Sequence, residues 1–245
     1  MTRRQARALE SDTTVNPRVS RGAKELLRDV LVIAVVAVLA SFLIKTFVAR
    51  SFYIPSASME KTLMINDRVV VNELPPALFP INRGDVVVFK DPGGWLGGGA
   101  TSSSEQLNPG EAILSFIGIP SAKENDHLIK RVIGLPGDAV ACCNAIGQVT
   151  VNGEAINETP YLFAPTLPAS AIPFSTTVPA NAYWVMGDNR NSSGDSRYHM
   201  DAPGGGSIPR SDVVGRAFVI TWPVDRWSWL DDYPSVFAHV PPPRK

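Results

Sequence analysis

Histidine is scarce in this chain, with three in 245 residues, and cysteine scarcer still, with two. The cysteines are adjacent, Cys142 and Cys143. Two thiols do not make a zinc site, and neighbouring cysteines rarely reach ordinary disulfide geometry. They read as strand residues facing opposite sides, and they leave the redox compartment undecided. No metal and no cofactor are expected. A surplus of either charge is also missing: Lys plus Arg and Asp plus Glu both number 23. Nothing in that balance points to a nucleic-acid partner. Beyond Arg50 no stretch keeps a helical period over a window of about 11 residues. Nor does any later apolar run approach membrane length; the longest is "AILSFIGI", Ala112 to Ile119. Core, lid and membrane contact are all open for it. No internal repeat is present.

One long apolar run does exist. Val30 to Ala49 reads "VLVIAVVAVLASFLIKTFVA", close to the ~20 residues that cross a hydrocarbon core as a helix. It shows no polar stripe of the kind a soluble core helix carries. Its one charge, Lys45, lies near the end, where the stem can carry the ammonium to the interface. Arg3, Arg4, Arg7, Arg18, Arg21, Lys24 and Arg28 precede it, against Glu10, Asp12, Glu25 and Asp29. Basic flanks stay in the cytoplasm, so the expected topology is single-pass, with the N-terminus inside and everything after Arg50 outside. The run exceeds the core of a cleaved secretory signal and lacks an A-x-A-like exit, which makes it an uncleaved anchor. The expected organisation is a cytoplasmic disordered tail over 1–29, an anchor over 30–49 and an extracytoplasmic domain over 50–245.

That domain reads as mostly β. Short β-branched runs alternate with turn signals: "DRVVVNEL", "GDVVVFK", "HLIKRVIGL", "QVTVNGEAI", "YWVMGDN" and "GRAFVITW". Asn152-Gly153 is a type I′ hairpin signal. An antiparallel sheet is therefore expected, with a second, smaller β lobe inserted at about 139–180. Asp91 to Asp126, rich in Gly and Ser, reads as a long excursion or loop. Glu154 to Ala180, rich in Pro, Thr and Ala, is assigned to the second lobe.

Hydrolytic chemistry needs a nucleophile, a base and oxyanion donors. "IPSASMEKTL", Ile54 to Leu63, offers Ser56 and Ser58 just past the anchor. For the base, His127, His199 and His239 are read as having no orienting acid beside them, and each reads as a surface or packing residue. A lysine is the alternative. Holding a solvated lysine neutral at pH 7 costs roughly 4–5 kcal/mol, so it needs burial or a nearby positive charge. Lys130 sits in the apolar strand-like run "HLIKRVIGLPGD", whereas Lys90 and Lys123 adjoin Asp91 and Glu124 as solvated strand-end charges do.

"PSASM" followed by "TL", then "KRVIGLPGD", then "GDNRNSSGDSR", in that order after an N-terminal anchor, resembles bacterial type I signal peptidases. The motifs span Pro55 to Arg197, and with the anchor the resemblance covers most of the chain from Val30 onward. It implies a membrane-anchored endopeptidase with a Ser-Lys dyad. Matched residue by residue, it implies Ser58 as nucleophile and Lys130 as general base. Ser56 matches the hydroxyl that helps the Ser58 amide bind the oxyanion, and Ser193 the hydroxyl that orients the lysine amine. Asp195 and Arg197 match a structural ion pair beneath the site, and Asp188 with Arg131 another. Gly187 and Gly137 match positions of close packing or turn geometry. Two departures stand out: Lys61 replaces a proline common before "TL", and "APGGGS" lengthens the loop after Tyr198. Neither is expected to touch the dyad.

The resemblance also implies the substrate: exported preproteins with signal peptides, cut after small side chains. Phe52, Ile54, Pro55, Met59, Leu63 and Ile129 would line shallow pockets for them. The extended peptide would pair with exposed strand edges, and Phe52 and Tyr53 suit the membrane interface. Membrane lipid is the other partner implied, and the chain is expected to act as a monomer. Two rivals share part of the pattern. A repressor-type self-cleaving Ser-Lys protease would lack the anchor. An anchored, non-enzymatic β domain would leave Lys130 exposed.

Overall fold

The computed structural model describes residues 22–47, 49–96, 126–165 and 168–243. The tail over 1–21, most of the Gly/Ser excursion and the run Ala112–Ile119 lie outside the described residues. The chain divides between Leu43 and Ile44 into two units.

Most of a helix, α1, over Ala23–Phe47, belongs to the first unit. Leu26, Leu27, Val30, Leu31, Val32, Ile33, Val35, Val36, Val38 and Leu39 are all exposed on it. At 100° per residue these positions cover every face, so no stripe is reserved for a protein core. Among the described residues no helix is long and apolar enough to cross a membrane. The expected span runs on through 42–48, whose side chains lie outside the described residues.

The second unit is antiparallel β. Its main sheet comprises β1 (Ala49–Tyr53), β2 (Arg68–Asn72), β3 (Val86–Lys90), β4 (His127–Gly134), β9 (Ala182–Met186), β10 (Ile208–Pro209), β11 (Val213–Trp222) and β12 (Ser228–Trp229). The order is β1-β2-β11-β3-β4-β9-β10, with β12 pairing β11. A second sheet orders β7 (Glu154–Ala155), β6 (Val149–Val151), β5 (Ala139–Cys142) and β8 (Phe174–Thr177).

The sequence "VVVFK" shows why β3 lies in the middle. Successive side chains of a strand point to opposite faces, and here both faces are covered. Val86 and Val88 pack with Phe52, Ile54, Met59, Leu63 and Ile129. Val87 and Phe89 pack with Leu128, Val132, Tyr183 and Val185 on the other side. Each such side chain contributes roughly 1.5–3 kcal/mol by leaving water. A third cluster, built around Ile133, Val140, Val151, Phe174 and Trp184, joins the two sheets. Asn152-Gly153 forms the tight turn between β6 and β7, both residues at positive φ, 54° and 86°, as a type I′ turn requires.

The cysteines depart from expectation. Cys142 and Cys143 are joined by a disulfide rather than facing opposite sides of a strand. The physical reason is that β5 ends at Cys142, so the pleat that would separate their side chains stops there. Cys142 is buried opposite Phe174, and Cys143 is exposed.

Candidate active site

The serine motif follows β1 directly. Ile54 exchanges backbone hydrogen bonds with Asp67 and Asn66, which ends the strand and turns the chain. Ala57–Met59 then forms one 3-10 turn, and the buried Met59 and Leu63 anchor it in the apolar cluster. Thr62 N–H donates to Met59 O at 3.1 Å. Glu60 takes φ −52° and ψ 152°, and Lys61 takes φ 79°. Met59–Thr62 is thus a type II turn with Lys61 at the position that favours glycine. Ser58 is 5% exposed, and its Oγ lies 3.3 Å from Ser56 Oγ. Ser56 and Pro55 are exposed.

Lys130 arrives from β4, where it pairs opposite Val87. Its Nζ donates to Ser58 Oγ at 2.7 Å and to Ile129 O at 2.9 Å. The residue is 4% exposed. Burial lowers its pKa from 10.5 to about 8, against the opposing pull of the Asp195 and Asp188 carboxylates. The physical cause is desolvation of the ammonium. A neutral fraction is therefore available near neutral pH, and that lone pair can take a proton from Ser58 Oγ.

Beneath the pair lies a floor of buried ion pairs. Arg197 holds Asp195 through Nε–Oδ1 and Nη2–Oδ2 contacts, each 2.8 Å. Burial alone would raise the Asp195 carboxyl, but the Arg197 fork and the Gly187 N–H hold it below its ordinary value. Arg131 grips Asp188 at 2.9 and 2.7 Å. Its guanidinium also donates to Gly84 O and Asp231 O, and it lies 4.5 Å from the Tyr161 ring centroid. Thr62 Oγ1 donates to Asp188, which ties the serine turn to this pair. The third pair, Arg190 with Glu158, is buried too, and Tyr161 donates its hydroxyl to Glu158.

Gly187 sits where these elements converge. Its N–H donates to Asp195 Oδ2 at 2.9 Å, and its carbonyl accepts from Arg190 Nε at 3.0 Å. Next along the chain but one, Asn189 N–H donates to Ser58 O at 3.1 Å. The "GDNRNSSGDSR" segment thereby holds the backbone of the nucleophile candidate directly. Gly137 takes φ 84°, the left-handed turn geometry glycine suits.

The structure brings together Ser56, Ser58 and Lys130, and gathers Phe52, Ile54, Met59, Leu63 and Ile129 into one buried cluster. Ser193 Oγ is buried without a hydrogen bond of ordinary geometry among the described residues, to Lys130 or to any other group. It lies close enough to the Asp195 carboxylate to help keep that group ionised.

The histidines require one correction. His127 does have an acid beside it: Asp126 Oδ1 lies 2.8 Å from its Nδ1. Adjacency in sequence was the available signal. The ring packs 5.4 Å from that of Phe52, and the hydrogen bond to Ser58 belongs to Lys130. His199 stacks on Trp95 at 4.4 Å, and His239 is exposed. The Arg190–Glu158 pair has no counterpart among the residues singled out from sequence, and Lys61, noted there only as a departure, donates from Nζ to Thr159 O at 2.9 Å.

A serine hydroxyl against a buried lysine amine, on an antiparallel β scaffold, is an arrangement in which a base adjoins a nucleophile, as serine hydrolases require. Comparison with known proteins is more specific. Residues 27–222 match the family described as "Signal peptidase, peptidase S26", and the chain belongs to that family. It is 38% identical over 234 residues to "Signal peptidase I" of Mycobacterium tuberculosis (strain ATCC 25618 / H37Rv), covering 87% of this chain and 78% of that protein. It is 37% identical to "Probable signal peptidase I" of Mycobacterium leprae, covering 83% and 79%. To "Probable signal peptidase I-2" of Synechocystis sp. it is 41% identical, covering 81% and 74%.

Proposed function

We propose that this chain is an anchored signal peptidase that removes N-terminal signal peptides from exported preproteins, with Ser58 as nucleophile and Lys130 as general base. The observation that carries the reading is the 2.7 Å contact between Lys130 Nζ and Ser58 Oγ, both buried. Neutral Lys130 accepts the Ser58 proton as Oγ attacks the carbonyl carbon before the cut. The Ser58 N–H and the Ser56 hydroxyl receive the negative charge that develops on the carbonyl oxygen; such donors are worth roughly 2.7–4 kcal/mol each. The lysine then returns its proton to the departing amine, leaving the signal peptide esterified to Ser58. Water, giving its proton to Lys130, attacks the ester and frees the serine. Ser193, which makes no hydrogen bond to Lys130, supports the Asp195 carboxylate instead, and Asp195–Arg197 and Asp188–Arg131 support the floor. The test is incubation of a preprotein with the purified full chain and with Ser58→Ala. The wild type should release the mature protein and the variant should not. Cleavage by both, or by neither, would overturn the proposal.

Phe52, Ile54, Pro55, Met59, Leu63 and Ile129 form the walls that receive the small side chains near the cut. Narrow, well-packed walls tolerate extra methylenes poorly. Replacing alanine by leucine just before the cut should therefore lower kcat/KM by about a hundredfold, read with paired synthetic peptides. Equal turnover of the two peptides would remove these residues from the pocket.

Helix α1 continues into the anchor that holds the site at the outer face of the membrane. Its all-round apolar surface and the basic residues before it support that placement. Protease added to intact spheroplasts should digest the part beyond Arg50, and its protection would reverse the topology.

A further inference from the structure

Lys61 is an outlier of the turn that carries Ser58. Its φ of 79° lies in the left-handed region, where a Cβ crowds the following carbonyl oxygen and residues other than glycine are strained. Position three of a type II turn favours glycine or asparagine for that reason. Strained residues persist where the surroundings over-determine them, and they cluster at functional sites. What lysine supplies here, and glycine could not, is an amine: Nζ donates to Thr159 O at 2.9 Å, across 98 positions of sequence.

Thr159 lies in the stretch 156–165 that follows β7, and its neighbours there are fastened to the site. Glu158 is ion-paired to Arg190, Tyr161 lies over the Arg131 guanidinium, and Phe163 N–H donates to Asp188 O at 3.1 Å. Each of those partners belongs to the floor beneath Ser58. On the other side of the turn, Asn189 Nδ2 donates to Glu60 Oε2 at 2.8 Å. The turn is thus fastened on either side of its strained residue.

We propose that Lys61 is a positioning residue for the reaction: its amine tethers the turn after Ser58 to the 158–163 stretch and so holds the serine in line with Lys130. This rests on the proposed peptidase reading and deepens it. A misalignment of even about 1 Å at a nucleophile is costly to rate, whereas most of the proposed walls, Phe52, Ile54, Pro55 and Ile129, lie outside the turn the tether holds. The tether acts on kcat.

Three variants separate the amine from the backbone strain. Lys61→Gly relieves the strain and removes the donor, Lys61→Met keeps the strain and removes the donor, and Lys61→Arg keeps a donor of similar reach. Each is assayed for kcat and KM on a signal-peptide substrate, for thermal midpoint, and for the rate at which a serine-reactive probe labels Ser58. The glycine and methionine variants should lose about five- to tenfold in kcat and in labelling rate, with KM within about twofold. That range is what one charge-assisted, solvent-exposed hydrogen bond carries. The glycine variant should melt no lower than the wild type, and the arginine variant should label and turn over within about twofold of it. Wild-type labelling and turnover by Lys61→Gly, or a loss in Lys61→Arg equal to that in Lys61→Met, would overturn the proposal. The labelling rate keeps the two readings apart, because it reports serine alignment even if the wild type cleaves no signal peptide.

Discussion

Lys130→Arg should be as inactive as Ser58→Ala while remaining folded. Arginine keeps its proton at any workable pH, so it cannot take one from Ser58, although its charge and length are close to those of lysine. A lysine that merely paired with carboxylates would tolerate the exchange, since guanidinium pairs at least as well. General-base contributions run from about 10²- to 10⁴-fold, and loss of the whole step should fall at the upper end. The measurement is initial rate on a signal-peptide substrate, with circular dichroism as the folding control. Retention of more than about a tenth of wild-type rate, a loss under ~1.4 kcal/mol, would remove Lys130 from the role. The wild-type rate should rise with pH and level off above about 8, as the buried amine loses its proton.

The same lysine sets a stability trend. Its folded pKa is about 8 against an ordinary 10.5. Between those values the unfolded chain binds more protons than the folded one, so this group's contribution makes stability rise with pH across that window. Below it the buried ammonium costs about 3 kcal/mol, because each tenfold loss of proton affinity is worth about 1.4 kcal/mol. An uncharged residue of similar length, as in Lys130→Met, should therefore melt above the wild type at pH 7 while doing no chemistry.

Gly187→Ala should lower kcat by about a hundredfold or more. A Cβ there would lie 2.3 Å from Ser193 Oγ, 2.6 Å from Ser193 Cβ and 2.5 Å from Ser58 O. Turning the Ser193 side chain relieves the first contact alone, since its Cβ stays with its backbone, and the third contact is backbone as well. Ser58 O is also held by Asn189 N–H, so the methyl can be accommodated only by moving the nucleophile's own peptide. Truncating the serine as well, in Gly187→Ala/Ser193→Gly, removes two of the three clashes and should not restore the rate. Turnover of the double variant near the wild-type level would show that Ser193, and not the Ser58 backbone, was the obstacle.

The parts legible in the sequence share one property: their partners lie within a motif or follow from a local period. "GDVVVFK" announced a strand, though not that both its faces would be buried, and Asn152-Gly153 announced a hairpin. Asp195 and Arg197 stand two residues apart, and Arg131 adjoins Lys130. The Arg190–Glu158 pair joins loops 32 positions apart, and Lys61 meets Thr159 across 98. Nothing local in "NETPYLF" indicates that its glutamate will be buried against an arginine. The turn around Lys61 was hidden for a further reason. A proline, the residue common there in the resembling family, fixes φ near −65°, whereas this chain reaches 79°. A proline could not take the backbone this chain uses at that position. Cys142 and Cys143 were misread because the alternation of a strand was extended past the residue where β5 stops.

The floor of forked ion pairs also constrains how this protein can vary. Arg131, Arg190 and Arg197 each face one carboxylate, and all six side chains are almost wholly enclosed. Losing one partner strands a charge and costs roughly 3–5 kcal/mol, whereas exchanging both for apolar groups of matching volume is often neutral. A lineage that changes Glu158 first crosses a valley before Arg190 can follow, and the reverse order is no easier. Substitutions in this layer are thus strongly epistatic and accepted in couples.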